Sequence, residues 1–122
     1  MPRSNVILTK GVALQTLNAT PVELTRITIP INTALFGEIR VGAIGGTAGS
    51  ETEYYRFKIH AFRLTGNATL RQGVADGTDH EVTAGAGAAI TVSGTDLIVT
   101  VTGIVGTLNW EGDCDLLSIA AP

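Results

Sequence analysis

Residues 95–119 read TDLIVTVTGIVGTLNWEGDCDLLSI, and this stretch decides the fold. Two runs of alternating apolar and polar residues flank a short loop that contains glycine. A period of two is typical of strands with one buried face, so the stretch predicts a β-hairpin. The residues predicted to share the buried face are Leu97, Val99, Val101, Leu108, Trp110, Cys114 and Leu116, with Gly112 in phase.

The second run also has a strongly acidic face. Glu111, Asp113 and Asp115, here called the acidic row, alternate with the apolar residues. Cys114 is the only cysteine, so the chain forms no internal disulfide, and its phase places the thiol in the core as a small hydrophobe. Trp110 is likewise predicted to lie in the core.

A basic counterpart lies upstream, in the strand predicted over residues 54–64. Tyr55 and Phe57 belong to its apolar face, whereas Arg56, Lys58 and His60, here called the basic row, point the other way. Opposite charges that face each other across strands contribute about 0.2–1 kcal/mol per pair. We therefore expect the acidic and basic rows to lie close in one sheet or to meet across a subunit contact.

Further strands are predicted on both sides of this pair. Residues 20–31 form one strand with a phase slip that indicates a β-bulge near Thr25–Arg26, and Pro30 marks a strand end or an edge strand. Residues 35–44 form another, and no window has sustained helical periodicity. About eight to ten short strands separated by turns predict an all-β sandwich or barrel, and we assign an antiparallel, jelly-roll-like β-sandwich. We assign residues 18–122 to this domain and residues 1–17 to an N-terminal arm or an edge strand.

Charge is segregated along the chain. Residues 1–71 contain all eight Lys and Arg and four acids, a balance of +4, whereas residues 72–122 contain seven acids and no Lys or Arg. Basic residues are too few to predict nucleic-acid binding. The N-terminus has no continuous apolar segment, and no run approaches the about 18 residues that span a membrane, so we expect neither a secretory signal nor a membrane partner.

Three patterns suggest chemistry, and each has a simpler interpretation. The glycine-rich residues 45–50 precede a strand instead of a helix, which argues against a phosphate loop. The cluster of Asp76, Asp79, His80 and Glu81 is better explained as solvated loop charge than as a metal site. The acidic row has a spacing compatible with paired glycosidase carboxylates, but nothing else indicates a sugar cleft. We expect no enzymatic activity, no metal and no cofactor.

Three segments together resemble a small β-sandwich module of tailed-bacteriophage virion proteins. They are NATPVELTRITIP at residues 18–30, EYYRFKIHAFRLTGNATL at residues 53–70 and VSGTDLIVTVTGIVGTLNW at residues 92–110. The resemblance covers roughly residues 18–117. Because the module is nearly the whole chain and no fibre shaft accompanies it, the chain is most similar to a capsid decoration, or cement, protein.

This resemblance implies a structural role without catalysis. Such proteins are made in the host cytoplasm and sit on the outer capsid surface, often as trimers, where they stabilise contacts between major capsid subunits. The implied partners are further copies of this chain and the major capsid protein. The alternative is a tail-tip or fibre head module that recognises a host glycan or surface protein. The candidate interface residues are Arg3, Lys10, Tyr54, Arg56, Lys58, His60, Phe62, Glu111, Asp113 and Asp115.

Overall fold

The computed structural model describes residues 4–45, 51–73, 80–81 and 86–122, and every regular element in these ranges is a strand. In chain order the strands are β1 (Ser4–Thr16), β2 (Pro21–Thr28), β3 (Thr33–Gly45), β4 (Glu51–Arg63), β5 (Ala68–Gln72), β6 (His80–Glu81), β7 (Gly87–Ser93), β8 (Asp96–Thr102) and β9 (Leu108–Ala120). They form two antiparallel sheets packed together, which confirms the predicted all-β sandwich.

The two sheets differ in size. The larger sheet has the order β1-β9-β3-β4-β5, and β6 pairs with the beginning of β4. The smaller sheet has the order β2-β8-β7. Strand β3 lies between β9 and β4 and is in register with both over all of its 13 residues. These three long strands make the larger sheet a broad platform.

The predicted hairpin at residues 95–119 is wrong in its pairing, although both strands exist. Strand β8 lies in the smaller sheet and β9 in the larger one, so residues 103–107 cross from one sheet to the other. Alternation does not distinguish the two arrangements, because a hairpin and a crossing between facing sheets both bury one face of each strand. The crossing is held at Gly103, where an added Cβ would lie 2.2 Å from the Thr16 hydroxyl, and at Gly106, whose N–H donates to the Leu17 carbonyl at 3.2 Å.

Local sequence features explain the edge strand β1, the bulge in β2 and the turn into β3. The N-terminal segment, which the sequence allowed to be an arm or an edge strand, lies antiparallel along β9 from Ser4 onwards. In β2 the register with β8 shifts between Glu23 and Thr25, which places the predicted bulge about one residue earlier than expected. Strand β2 ends before Pro30, and Asn32 occupies the turn into β3 with a φ of 52°.

The core fills the space between the sheets with the side chains that alternation placed inside. From the larger sheet come Leu35, Ile39, Val41, Tyr55, Phe57, Ile59, Leu108, Trp110, Cys114 and Leu116; from the smaller come Leu24, Ile90, Leu97, Val99 and Val101. Trp110 is 1% exposed, stacks on Tyr55 with ring centroids 6.4 Å apart, and donates its Nε1–H to the Thr16 hydroxyl at 3.0 Å. The buried positions predicted for Trp110 and Cys114 are confirmed.

A search of the described residues for a helix of the length and hydropathy needed to cross a bilayer found none.

Candidate interaction face

The larger sheet turns one face to the core and the other outwards, and its outer face brings together most of the predicted interface residues. Register aligns β9, β3 and β4 into cross-strand lines. From one end to the other, these lines are Ile119–Ala34–Phe62, Leu117–Phe36–His60, Asp115–Glu38–Lys58, Asp113–Arg40–Arg56 and Glu111–Gly42–Tyr54. The acidic row and the basic row therefore share one face, in the same lines, with β3 between them.

The expectation that the two rows lie close in one sheet is confirmed, although the rows are not on adjacent strands. Both rows lie in one sheet, but β3 supplies the immediate partners. Arg40 donates from Nε and Nη2 to the two carboxylate oxygens of Asp113, at 2.9 and 3.1 Å. This bidentate geometry is the strongest form of an arginine–carboxylate contact, and it raises the pKa of Arg40 above its usual value.

On the basic side, Glu38 is the acid that β3 contributes. Its carboxylate oxygens lie 3.7 Å from Nε of Arg40 and 3.9 Å from Nε of Arg56. Glu38 is also directly in register with Asp115 on one side and with Lys58 on the other. The middle of the face is therefore a mixed network, acidic towards β9 and basic towards β4.

Two carboxylates of the acidic row remain outside this network. Among the described residues no ion pair reaches Asp115 or Glu111. Asp115 lies beside Glu38, and like charges directly opposite each other in a sheet are destabilising. Glu111 lies beside Gly42, which has no side chain that could pair with the carboxylate. Within the part of the chain that the structure describes, Asp115 and Glu111 are thus the two carboxylates of the acidic row without an ion-pair partner.

One end of the outer face is apolar. Exposed Phe36, Leu117 and Ile119 lie there together with half-buried Phe62, and these four residues are here called the apolar patch. His60 packs its ring on Phe36 with centroids 4.8 Å apart, and the Arg71 guanidinium lies 4.8 Å from the Phe62 ring centroid. Aromatic residues with flanking arginines are the composition that protein interfaces favour.

At the other end, a shallow notch lies over Gly42. Tyr54, which is 43% exposed, borders the notch on the β4 side, and Glu111 borders it on the β9 side. The notch is lined by both polar and apolar surface and is open to solvent. A tyrosine ring next to carboxylates is a suitable surface for a small polar ligand.

Two candidates remain. Arg3 and the side chain of Lys10 lie outside what the structure describes, and the backbone of Lys10 belongs to β1. Residues 46–50 of the rejected phosphate loop, and Asp76 and Asp79 of the acidic cluster, also lie outside the described residues. Among the residues that are described, no group of three or more His, Cys, Asp or Glu side chains converges as metal ligands do.

Sequence reasoning identified Phe62 but missed the other three residues of the apolar patch and the partner role of β3. Leu117 and Ile119 are in phase with the acidic row, and Phe36 is in phase with Glu38 and Arg40. The same period of two would have placed all three residues on the outer face. Strand order is the part that no local pattern reveals, so β3 was not recognised as the strand between the two rows.

The chain was compared with known proteins. No protein-family model matches it, and no curated protein sequence matches it.

Proposed function

We propose that this protein is a virion decoration protein of a tailed bacteriophage. In this role it binds the outer surface of the capsid, stabilises contacts between major capsid subunits and performs no catalysis. It assembles with further copies of itself, and its localisation is the outer capsid surface after synthesis in the host cytoplasm.

The observation that supports this proposal best is the outer face of the larger sheet. It combines a broad platform of three long strands, an apolar patch and segregated charge, which are properties of a binding surface. A sandwich with two packed sheets is also a rigid body that resists deformation by pressure. The sequence resemblance at residues 18–30, 53–70 and 92–110 supplies the virion context.

Capsid stability tests the proposal. Phage heads that lack this protein should lose DNA at a lower temperature than complete heads, and purified protein added back should restore the resistance. The Val105→Asp variant, altered at a residue that is 90% exposed in the 103–107 crossing, should restore it equally well. Heads that are equally heat-resistant without the protein would contradict the proposal.

The alternative is a tail-tip or fibre head module that recognises a host surface glycan or protein. The notch over Gly42, with the exposed Tyr54 ring and the Glu111 carboxylate at its borders, favours this alternative. Sugars commonly bind with one face on an aromatic ring and their hydroxyls on carboxylates. Tyr54→Ala would then abolish adsorption to host cells, whereas a decoration protein with the same change would leave adsorption intact.

A further inference from the structure

The outer face of the larger sheet is electrically asymmetric across its strands. The β9 side carries the acidic row, β3 carries one acid and one base, and the β4 side carries the basic row. Adjacent strands lie about 4.8 Å apart, so the two rows run parallel to each other at roughly 10 Å. A surface with this pattern is complementary to a surface that has the opposite order, basic on one side and acidic on the other.

A second copy of the same chain provides that opposite order. We propose that two copies pack face to face through this outer face, related by a two-fold axis that runs along β3. Rotation about such an axis exchanges the two sides of the sheet and keeps each cross-strand line at the same height. Each β9 then lies over the partner's β4, and the acidic row of one copy faces the basic row of the other.

The lines match in chemistry as well as in charge. Asp115, which no ion pair reaches within the described residues, would face Lys58 of the same line. Ile119 would face the Phe62 ring, which continues the apolar patch across the interface.

A two-fold axis across the strands is disfavoured by the same pattern, because it would place the acidic row over its own copy. A trimer, which the sequence resemblance implies, would use two different surfaces at each contact and would not exploit the symmetry of this face.

Stacked sheets cross at about 30°, so copies of β3 approach each other at one point only. If the two β3 strands cross at Phe36, the two Phe36 rings meet there. The two Arg40 side chains, which carry the same charge, then lie farther apart.

The size of the face is sufficient for a stable pair. Thirteen residues extend for roughly 43 Å at about 3.3 Å each, and β9, β3 and β4 together span roughly 14 Å across. The resulting area of about 600 Å² per copy lies at the lower end of the range for specific protein interfaces. This inference does not depend on the virion role, since it concerns the protein in solution.

The test is a charge-swap series on the full chain, measured by sedimentation equilibrium over a range of concentrations. The wild type should have twice the monomer mass of 12.6 kDa. Asp115→Lys should raise the dimer dissociation constant by roughly tenfold or more, because each dimer then contains two like-charge contacts. Lys58→Glu should do the same. The double variant Asp115→Lys/Lys58→Glu should recover most of the affinity, because the swapped charges face each other again.

Two further variants separate loss of the interface from loss of folding. Phe36→Asp places a charge in the apolar patch and should give a monomer that melts cooperatively. Val105→Asp introduces the same charge at an exposed apolar residue away from the face and should remain dimeric. The proposal is overturned if the wild type is a monomer or a trimer, if the double variant stays as weak as the single ones, or if Phe36→Asp is still a dimer.

Discussion

At the scale of single residues, the hydrogen bond between Trp110 and Thr16 ties the edge strand β1 to the core. Thr16 belongs to β1, the strand next to β9, and is 3% exposed. Its hydroxyl accepts a hydrogen bond from the indole Nε1–H at 3.0 Å. A buried N–H without a partner costs about 1–3 kcal/mol. The bond therefore stabilises β1 more than its position at a sheet edge would suggest.

Replacing Thr16 with Val tests this contact, because valine keeps the shape and removes the acceptor. Thr16→Val should lower the free energy of unfolding by about 1–3 kcal/mol in urea denaturation. Thr20→Val is the matched control, since Thr20 is exposed and the change should cost less than about 0.5 kcal/mol. Equal effects of the two changes would show that the Trp110 bond is not important for stability.

A second residue-scale constraint is Gly37, in the middle of β3. Its φ is 148°, and an added Cβ would lie 2.1 Å from the backbone oxygen of Asp115 on β9. A side chain at this position would be strained and would push the two strands apart. The glycine therefore allows β3 and β9 to approach closely at the centre of the larger sheet.

Gly37→Ala should accordingly lower the free energy of unfolding by about 1–3 kcal/mol or more. Gly66→Ala, in a turn where an added Cβ meets nothing within 4 Å, should be nearly neutral. Chemical denaturation of both variants alongside the wild type gives the comparison. A neutral Gly37→Ala would mean that β3 and β9 are not as close as described.

At the scale of elements, a charged cluster joins β2 to β8 in the smaller sheet. The Asp96 carboxylate accepts from the hydroxyl of Thr28 at 2.8 Å, from Arg26 at 2.9 Å and from the hydroxyl of Thr95 at 3.1 Å. Chiefly because of the Thr28 bond, the pKa of Asp96 is held below its usual value. Arg26 also donates to the carboxylate of Glu23, and this hydrogen bond lowers the pKa of Glu23 as well.

A lowered pKa makes this contribution depend on pH in a defined direction. The ionised carboxylate stabilises the fold above the unfolded-state Asp pKa of about 3.9, and the effect is lost as the pH falls through the lower folded value. Asp96→Asn should therefore lower the melting temperature at pH 7, and the difference from the wild type should shrink progressively below about pH 4. Thr28→Val, which removes one donor, should show a smaller loss with the same trend. A difference that persists undiminished in acid would contradict this account.

Elements also show where prediction from sequence ends. The period of two correctly assigned inward and outward faces in β3, β4, β8 and β9, because one residue of slip would expose an entire apolar face. It did not reveal that β8 and β9 belong to different sheets, because the same residues are buried whether the two strands form a hairpin or lie in facing sheets. The tight approach of Gly103 to Thr16 is a contact between residues far apart in sequence, and no local signal indicates it.

The interaction face was predictable only in part for the same reason. Alternation identified the acidic and basic rows, which do lie on one face of one sheet. Their direct neighbours, Arg40 for Asp113 and Glu38 for Arg56, follow from strand order. Strand order is decided by the packing of the whole sandwich and not by any single strand.

At the scale of the whole molecule, the protein is a sandwich of two sheets, and the proposed interaction face belongs to the larger one. The smaller sheet covers the core, and the larger sheet carries the apolar patch and the segregated charges on its outer face. The proposed dimer and the proposed virion role can fail separately, because one is measured on the purified chain and the other on the particle. Both proposals give the protein a role in assembly.

The central claim, that the protein decorates a phage head, is tested most directly by its stoichiometry in purified particles. Quantitative mass spectrometry of virions would give the ratio of this chain to the major capsid protein. A decoration protein should be present in a copy number comparable with that of the capsid subunit. A few copies per particle, recovered with the tail fraction, or none at all, would contradict it.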